Sequence, residues 1–132
     1  MTRRNLRENI FKILFKVEFN DIYEMDEQID FSLDEIENLS EKDKDYITGK
    51  TEKIINLIGD IDAIISEICT GWNIGRIGKA ELAILRLAVY EIKYDEDIPL
   101  NVAVSEAVEL AGIYCGQDAG SFVNGVLTKL ND

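Results

Sequence analysis

Hydrophobic side chains recur along this chain at the spacing of one face of an α-helix. Leu6, Ile10, Ile13, Leu14 and Val17 form the first such stripe, a pattern typical of a helix that buries one side. No run of alternating apolar and polar residues is bounded by turn residues, so strands are not indicated. The pattern predicts an all-α protein of about seven helices.

The residues between the stripes include recognisable helix starts and stops. Ser40 with Asp43 three residues later resembles a capping box, and Pro99 suits the start of a helix. Gly59 and Gly71 are expected to end helices. The predicted helices cover residues 3–19, about 26–38, 40–59, 60–69, 79–94, from Pro99 through Ala111, and 121–130.

The predicted helix over residues 79–94, KAELAILRLAVYEIKY, is apolar nearly all round. A helix with that profile is usually central and buried on most sides. Arg86 interrupts it, and the simplest interpretation is a partly buried guanidinium paired with a carboxylate such as Glu91 or Glu106. Trp72, shortly before this helix, is expected to pack in the core at a junction.

Length and composition indicate one compact domain. The chain has 132 residues, of which 46% are apolar and 30% charged, which suits a single domain spanning residues 1–132. Glu8 and Lys12 interrupt the apolar run that follows the first arginines, so a signal peptide is not expected. No uncharged stretch is long enough to cross a bilayer. We therefore predict a cytoplasmic protein without membrane association.

Residue types that commonly carry catalysis or bind metals are scarce. The chain has no histidine, and its two cysteines, Cys69 and Cys115, are far apart. This composition excludes zinc-finger spacing, a histidine general base and a Cys–His nucleophile pair. A Gly-rich phosphate loop and a GxSxG motif are also missing from the sequence. No enzymatic activity, cofactor or metal site is therefore expected.

The formal net charge of −12 is unevenly distributed along the chain. Residues 3–16 carry five basic side chains against one acidic side chain, whereas residues 18–45 carry twelve acidic side chains against two basic ones. Such asymmetry is typical of a site for an anionic partner on an otherwise acidic surface. Only one face of the protein would then bind nucleic acid.

The basic start itself has two interpretations. At roughly 100° per residue, Arg4 and Arg7 lie beside Phe11 and Phe15 on the first helix. Arginine beside an exposed ring can contact phosphate and stack on the bases of single-stranded nucleic acid. The alternative is a solvated helix end with phenylalanines in the core, and the residues alone slightly favour this alternative.

A segment near the C-terminus, DAGSFVNGVL over residues 118–127, combines a helix start with an apolar edge. Asp118 can cap a helix, and the apolar edge begins at Phe122. Core packing explains most of this segment. It does not explain Phe122 if that ring is exposed.

Three segments resemble the NusB family of transcription antitermination factors. They are RRNLRENIFKILF near the start, LAILRLAVYEIKYDEDIPLNVAVSEAVELA over residues 82–111, and FVNGVLTKL near the end. The resemblance extends over nearly the whole chain, with residues 18–60 matching mainly in helical pattern. It implies a fold of two antiparallel three-helix bundles packed across each other, without enzymatic activity.

The resemblance also implies partners. NusB-like proteins bind the single-stranded boxA element of nascent RNA, particularly ribosomal RNA leaders, together with NusE, which is also a small-subunit ribosomal protein. The pair initiates an antitermination complex on RNA polymerase. Some relatives resemble homodimers that hide the RNA face, so a possible homodimer is left open.

Several family positions near RNA have counterparts in this chain. The implied RNA-binding residues are Arg3, Arg4, Arg7, Glu81, Asp118 and Phe122. The three arginines match the family's main RNA contact. Glu81 matches a position at the RNA and partner edge, and Asp118 and Phe122 match positions near RNA. Neutralising about three phosphates would give a slope of log K against log[salt] near roughly −2.

This chain departs from the family pattern at two points near its start. Phe15 stands where a tyrosine is common, so a hydroxyl contact is absent there. No basic residue precedes Arg3 in the sequence. We therefore expect NusE to matter more for RNA affinity here.

Two alternative functions remain open. NusB-like domains also precede the catalytic part of some ribosomal RNA cytosine methyltransferases, and a fragment of such an enzyme would look similar. The chain reaches Asp132 without the α/β pattern or Gly-rich loop that S-adenosylmethionine binding requires. The other alternative is a purely protein-binding helical adaptor, in which the arginines would be incidental.

Overall fold

The computed structural model describes residues 1–69 and 73–130. Over these residues it contains seven α-helices, three short 3-10 helices and no strand, which confirms the predicted all-α class. Contacts divide the chain into two compact units, Met1–Asn56 and Leu57–Asp132. The predicted helix stop at Gly71 and the predicted packing of Trp72 lie outside the described residues.

The N-terminal unit contains three helices: α1 (Arg3–Phe15), α2 (Met25–Asp34) and α3 (Glu41–Asn56). Helix α1 packs against both α2 and α3. Each helix turns one apolar stripe inward, as the sequence pattern predicts for helices with one buried face. The core of the unit includes Ile10, Ile13, Leu14, Ile29, Leu33, Ile47 and Ile54.

Helix α1 begins where Thr2 supplies a cap. The Thr2 hydroxyl accepts a hydrogen bond from the backbone N–H of Asn5 at 3.1 Å, which satisfies one of the free donors of the first turn. After Phe15 the chain continues as a 3-10 helix over Lys16–Phe19, close to the predicted end at residue 19. The Lys16 ammonium donates to the Ser32 hydroxyl at 2.7 Å, so this segment is tied to α2.

Helix α2 ends at Asp34, earlier than the predicted end near residue 38. Acidic side chains continue the sequence at Glu35 and Glu37, and negative charge at a helix C-terminus opposes the helix dipole. Asn38 then adopts a φ of 57°, a left-handed conformation that asparagine tolerates better than most residues. The local charge and the turn residue together explain the shorter helix.

Half of the capping box predicted at the start of α3 is present. The backbone N–H of Asp43 donates to the Ser40 hydroxyl at 3.1 Å. The Asp43 carboxylate accepts instead from the N-terminal ammonium of Met1 at 3.0 Å. The start of α3 is therefore linked to Met1, which lies two residues before the start of α1.

The C-terminal unit contains four helices: α4 (Ile58–Ile68), α5 (Lys79–Tyr94), α6 (Leu100–Cys115) and α7 (Gln117–Leu127). Helix α5 packs against α4, α6 and α7, and its residues 82–91 are all buried. This confirms the prediction that the helix over 79–94 is central. The prediction of a helix starting at Pro99 is also confirmed, since Pro99 occupies the N-cap of α6.

Two predicted boundaries in this unit are wrong. Gly59 lies inside α4 rather than at the end of a helix, because the buried side chains of Ile61 and Ile65 outweigh the cost of about 1 kcal/mol for a helical glycine. Helix α7 begins at Gln117, before the predicted residue 121, and Asp118 lies in its first turn instead of at the cap. Gly116 takes the cap position with a φ of 96°.

Arg86 lies in the buried part of α5, as predicted. Its guanidinium Nε and Nη2 donate to Oδ1 and Oδ2 of Asp62 on α4, both at 2.8 Å. A buried guanidinium paired with a carboxylate is therefore confirmed, and Asp62 is a partner that the sequence argument did not name. The pair joins two helices of the C-terminal unit.

Candidate nucleic-acid interface

Two of the three predicted arginines are exposed at the start of α1. Arg3 and Arg4 occupy the first turn, directly after the Thr2 cap, and both residues are exposed. Positive charge in a first turn opposes the helix dipole and costs a few tenths of a kcal/mol per residue, roughly. The helix dipole therefore does not favour a cation here, whereas the exposed first turn presents two guanidinium groups to an anionic ligand.

Arg7, the third arginine that the resemblance implies to bind RNA, is buried, with an exposed fraction of only 6%. The reason is its position on the helix: Ile10, Phe11 and Leu14 follow it by three, four and seven residues, and all three are buried. Residues at these spacings share one helix face. Arg7 therefore lies at the N-terminal end of the buried stripe and is not part of the exposed basic pair.

The phenylalanines near the arginines are not exposed stacking platforms. Phe11 is 3% exposed, which confirms the core interpretation for that ring, and Phe15 is half-buried. The Phe15 ring contacts Phe19 edge to face, with centroids 5.2 Å apart. Phe19 is 59% exposed, but the whole length of α1, about 20 Å, separates it from Arg3.

The other two cations of residues 3–16 are engaged within the N-terminal unit. Lys12 lies 3.7 Å from the Glu8 carboxylate one helical turn earlier. Lys16 donates to Ser32, as described above. Arg3 and Arg4 differ from these two lysines in lying side by side in the exposed first turn of α1.

Glu81 lies in the first turn of α5 and is half-buried. Both of its carboxylate oxygens lie 2.7 Å from the position that a Cβ on Gly78 would occupy, so the side chain folds back over the N-cap of its own helix. The carboxylate lies close enough to the Cys115 thiol at the end of α6 to raise the pKa of that thiol. Glu81 at the start of α5 is therefore near the α6–α7 junction.

The Cys115 thiol stays protonated at neutral pH. Burial, and then the nearby Glu81 carboxylate, raise the pKa of Cys115 from 9.0 to about 12, because both effects disfavour the thiolate.

Asp118 and Phe122 lie one helical turn apart on α7, so they share a face of that helix. Asp118 is exposed, and Phe122 is half-buried. Asp118 follows Cys115 by three residues across the turn at Gly116. The structure therefore brings Glu81 to the junction from which Asp118 and Phe122 extend, within the C-terminal unit.

Two exposed cations that lie close to Glu81 in the sequence were missed by sequence reasoning. Arg76 ends the 3-10 helix Ile74–Arg76, and Lys79 is the first residue of α5; both are exposed. The segment GRIGK could have indicated these two cations, because its basic residues flank a short connection before a buried helix. Both residues could contact phosphate.

The described ranges show neither a metal cluster nor a membrane span. No group of three or more His, Cys, Asp or Glu residues in residues 1–69 and 73–130 is arranged to hold a metal ion. In the same ranges no helix combines the length and the apolar character that a bilayer crossing needs.

The fold and the exposed basic pair define a small all-α protein with the features of a nucleic-acid-binding adaptor. The profile of the NusB family matches residues 4–132. The transcription antitermination protein NusB of Agathobacter rectalis is 50% identical over 129 residues, which cover 98% of each chain. This chain belongs to the NusB family.

Solved structures agree with this assignment. T. maritima NusB superimposes with a TM-score of 0.89 at 32% identity, over 98% of this chain and 89% of that one. A crystal structure of antitermination factors NusB and NusE in complex with double-stranded RNA matches with a TM-score of 0.86 at 25% identity, over 96% and 93% of the two chains. The all-α fold implied by the resemblance is therefore the NusB fold.

Proposed function

We propose that this protein is a transcription antitermination factor that binds boxA-like single-stranded RNA of nascent transcripts together with NusE, and that this assembly joins RNA polymerase. The observation that carries the proposal is the exposed Arg3–Arg4 pair in the first turn of α1. This pair forms a local positive patch on a chain of net charge −12. The acidic remainder repels RNA elsewhere and so limits non-specific binding.

Within this proposal the site residues have different roles. Arg3 and Arg4 contact phosphates, and carboxylates such as Glu81 and Asp118 accept hydrogen bonds from base amino groups. Phe122 offers the exposed part of its ring for stacking. We assign to Arg7 the positioning of α1, because its side chain is buried.

The support for NusE as a partner comes from a relative and from an exposed surface. A NusB structure similar to this chain was solved with NusE and RNA. In the C-terminal unit, α6 exposes Leu100, Val102 and Ile113, and a groove of about 620 Å³ runs between α6 and α7. Apolar surface of this kind is typical of protein interfaces. A homodimer would compete for the same kind of surface.

A non-enzymatic, cytoplasmic role of the whole chain as one RNA-binding domain over residues 1–132 is part of the proposal. The support is that the Agathobacter rectalis relative, matched over 98% of both lengths, is an antitermination protein. The methyltransferase-fragment alternative gains no support from that comparison. A comparison of RNA binding with NusE binding distinguishes the proposed function from the purely protein-binding alternative.

The experiment is fluorescence anisotropy of labelled RNA with the purified protein, with and without NusE. A boxA-like single strand, a scrambled single strand and a double-stranded form of the same sequence should be compared. We expect the boxA-like strand to bind most tightly, and NusE to increase its affinity through the additional surface. Equal binding of the scrambled strand in the presence of NusE would contradict the proposal.

A pair of variants separates RNA binding from protein binding. Arg3→Ala combined with Arg4→Ala should weaken RNA binding while NusE binding stays unchanged. Lys12→Ala is the matched control, because it removes a cation from the same helix at a position paired with Glu8. Unchanged RNA recruitment by the double-arginine variant would favour the protein-binding adaptor.

A further inference from the structure

A cleft in the N-terminal unit is lined by the start of α2, the turn before it and the end of α3. Its volume is about 320 Å³. The floor is apolar, because Met25, Ile29 and Ile55 line the cleft and are at most 6% exposed. The other lining residues are exposed, namely Ile22, Tyr23, Asp26, Glu52 and Asn56. The proposed function uses none of these residues.

The wall of the cleft that carries Ile22 and Tyr23 is held by hydrogen bonds within its own turn. Asp21 and Glu24 form a capping box around the 3-10 helix Ile22–Glu24, in which each side chain accepts from the backbone N–H of the other residue. The bond from the Asp21 N–H to Glu24 Oε1 is 3.0 Å long. Ile22 is 56% exposed and Tyr23 is 92% exposed. An ordered turn therefore presents two large side chains to solvent, which reduces the entropy lost when a ligand binds.

The charge around the cleft is negative. Asp26 lies on α2 and Glu52 on α3, and no basic residue of the described chain lines the cleft. Lys53 follows Glu52 in α3 but is not part of the lining. The segment 18–37 has nine acidic residues and no basic one. This charge attracts cations and repels both the phosphates of RNA and a second copy of this acidic chain.

We propose that this cleft is a docking site for an arginine side chain in a basic segment of a partner protein. The aliphatic stem of an arginine fits an apolar floor, while its guanidinium stays at the acidic rim. A guanidinium binds a carboxylate through two hydrogen bonds and stacks on aromatic faces such as that of Tyr23. Lysine lacks this planar group and fits the same cleft less well. The docking site goes beyond the proposed function, because it shares no residue with the RNA contacts or with the surface assigned to NusE.

The two methionines of the chain allow a direct measurement of occupancy. Met25 lines the cleft, whereas Met1, the other methionine, does not. Protein isotope-labelled at its methionine methyl groups therefore gives one NMR signal inside the cleft and one outside it. The probe is a short synthetic peptide in which arginine alternates with glycine. We expect it to shift the Met25 signal in a saturable way and to leave the Met1 signal unchanged. An unchanged Met25 signal would overturn the proposal.

A matched pair of double variants separates the cleft from general charge attraction. Asp26→Asn with Glu52→Gln removes the two carboxylates of the rim. Glu35→Gln with Glu37→Gln removes the same charge at exposed positions outside the lining. We expect the first variant to weaken binding of the arginine peptide roughly three- to tenfold more than the second. Equal weakening would overturn the proposal, because it would show attraction by net charge alone.

The exposed ring of the cleft wall has its own matched control. Tyr23→Ala removes this ring, and Phe31→Ala removes an exposed ring on α2 that does not line the cleft. Both changes are at exposed side chains, so both variants should fold. We expect only Tyr23→Ala to weaken binding of the arginine peptide, to an affinity close to that of a lysine–glycine peptide of equal length. Equal affinities of the two peptides for the unaltered protein would overturn the assignment of arginine.

Other occupants of the cleft would give different results. A single-stranded RNA that shifts the Met25 signal would assign the cleft to RNA. A Met25 shift that grows with protein concentration in the absence of peptide would assign it to a second copy of this chain. Either result would overturn the proposal. The peptide titrations need neither boxA-like RNA nor NusE, so their outcome is independent of whether the proposed function holds.

Discussion

Arg86 and Asp62 form a two-point hydrogen-bonded ion pair inside the C-terminal unit. Both contacts are 2.8 Å long, and the Arg86 side chain is only 9% exposed, whereas that of Asp62 is 29% exposed. The planar guanidinium matches the two carboxylate oxygens. The pair therefore fixes the rotation of α4 against α5 more specifically than apolar contacts alone would do.

Removing the carboxylate of this pair should destabilise the protein. Asp62→Ala leaves a largely buried guanidinium without two of its acceptors, and we expect a loss of about 1.5–3 kcal/mol in the free energy of unfolding. Urea denaturation followed by circular dichroism measures this. Asp60→Ala, an exposed aspartate on the same helix, is the control. Equal midpoints for the two variants would show that the pair contributes nothing.

The buried and exposed arginines of α1 should behave differently when replaced. Arg7→Ala removes a buried side chain that makes contacts in the fold, so we expect it to lower the free energy of unfolding by roughly 1–3 kcal/mol. Arg3→Ala should change it by less than about 0.5 kcal/mol while weakening RNA binding. Urea midpoints and RNA anisotropy on both variants test this contrast. An unchanged midpoint for Arg7→Ala would contradict the structural role.

The salt dependence of RNA binding should report on the exposed pair. Each phosphate contact to single-stranded RNA contributes roughly −0.7 to the slope of log K against log[salt]. Replacing both Arg3 and Arg4 with alanine should therefore reduce the magnitude of the slope by about 1.4. Anisotropy titrations at several salt concentrations measure it. A slope identical to that of the unaltered protein would place the RNA elsewhere.

The turn between α6 and α7 should require glycine. Gly116 has a φ of 96°, a conformation in which a Cβ costs about 1–2 kcal/mol. Gly116→Ala is expected to lower the free energy of unfolding by about that amount. Gly125→Ala, inside α7 with open space around its Cβ position, should raise it by up to about 1 kcal/mol. Thermal unfolding of the two variants should shift in opposite directions.

The contact between Asp43 and the N-terminal ammonium of Met1 should appear in a pH titration. This hydrogen bond is the largest effect that lowers the pKa of Asp43 below its usual 3.8. A lowered pKa means that the contribution to stability is fully present above the usual value and is lost as the pH falls through the lowered one. NMR titration of the Asp43 carboxyl measures the pKa. Acetylating the Met1 amine should raise it towards the usual value, and no change would contradict the contact.

The helices whose pattern is unambiguous could be predicted from the sequence. The boundaries of α5 agree with the predicted 79–94, because a long apolar stretch preceded by glycine residues leaves few alternatives. The end of α2 and the start of α7 were missed, since they depend on the backbone conformations of Asn38 and Gly116. Those conformations follow from local turn geometry that apolar periodicity does not encode.

The candidate site was predictable only in part. The exposed basic start was found from charge asymmetry, but the burial of Arg7 was missed even though its spacing to Ile10 and Leu14 places it on the buried face. The effect of Glu81 on the pKa of Cys115 could not be predicted, because the two residues are far apart in sequence and are brought near each other only by the packing of α5 on α6. Side-chain contacts of this kind require the three-dimensional arrangement.

If α1 binds RNA as proposed, the exposed basic pair at its start limits the length of RNA that this helix can contact. Arg3 and Arg4 are consecutive residues, and a single turn of helix advances only about 5.4 Å along its axis. Under the proposed function, two adjacent guanidinium groups would contact only one or two neighbouring nucleotides and would provide a single point of attachment. Any longer footprint on the RNA has to come from other surfaces of this chain or from a second protein bound beside it.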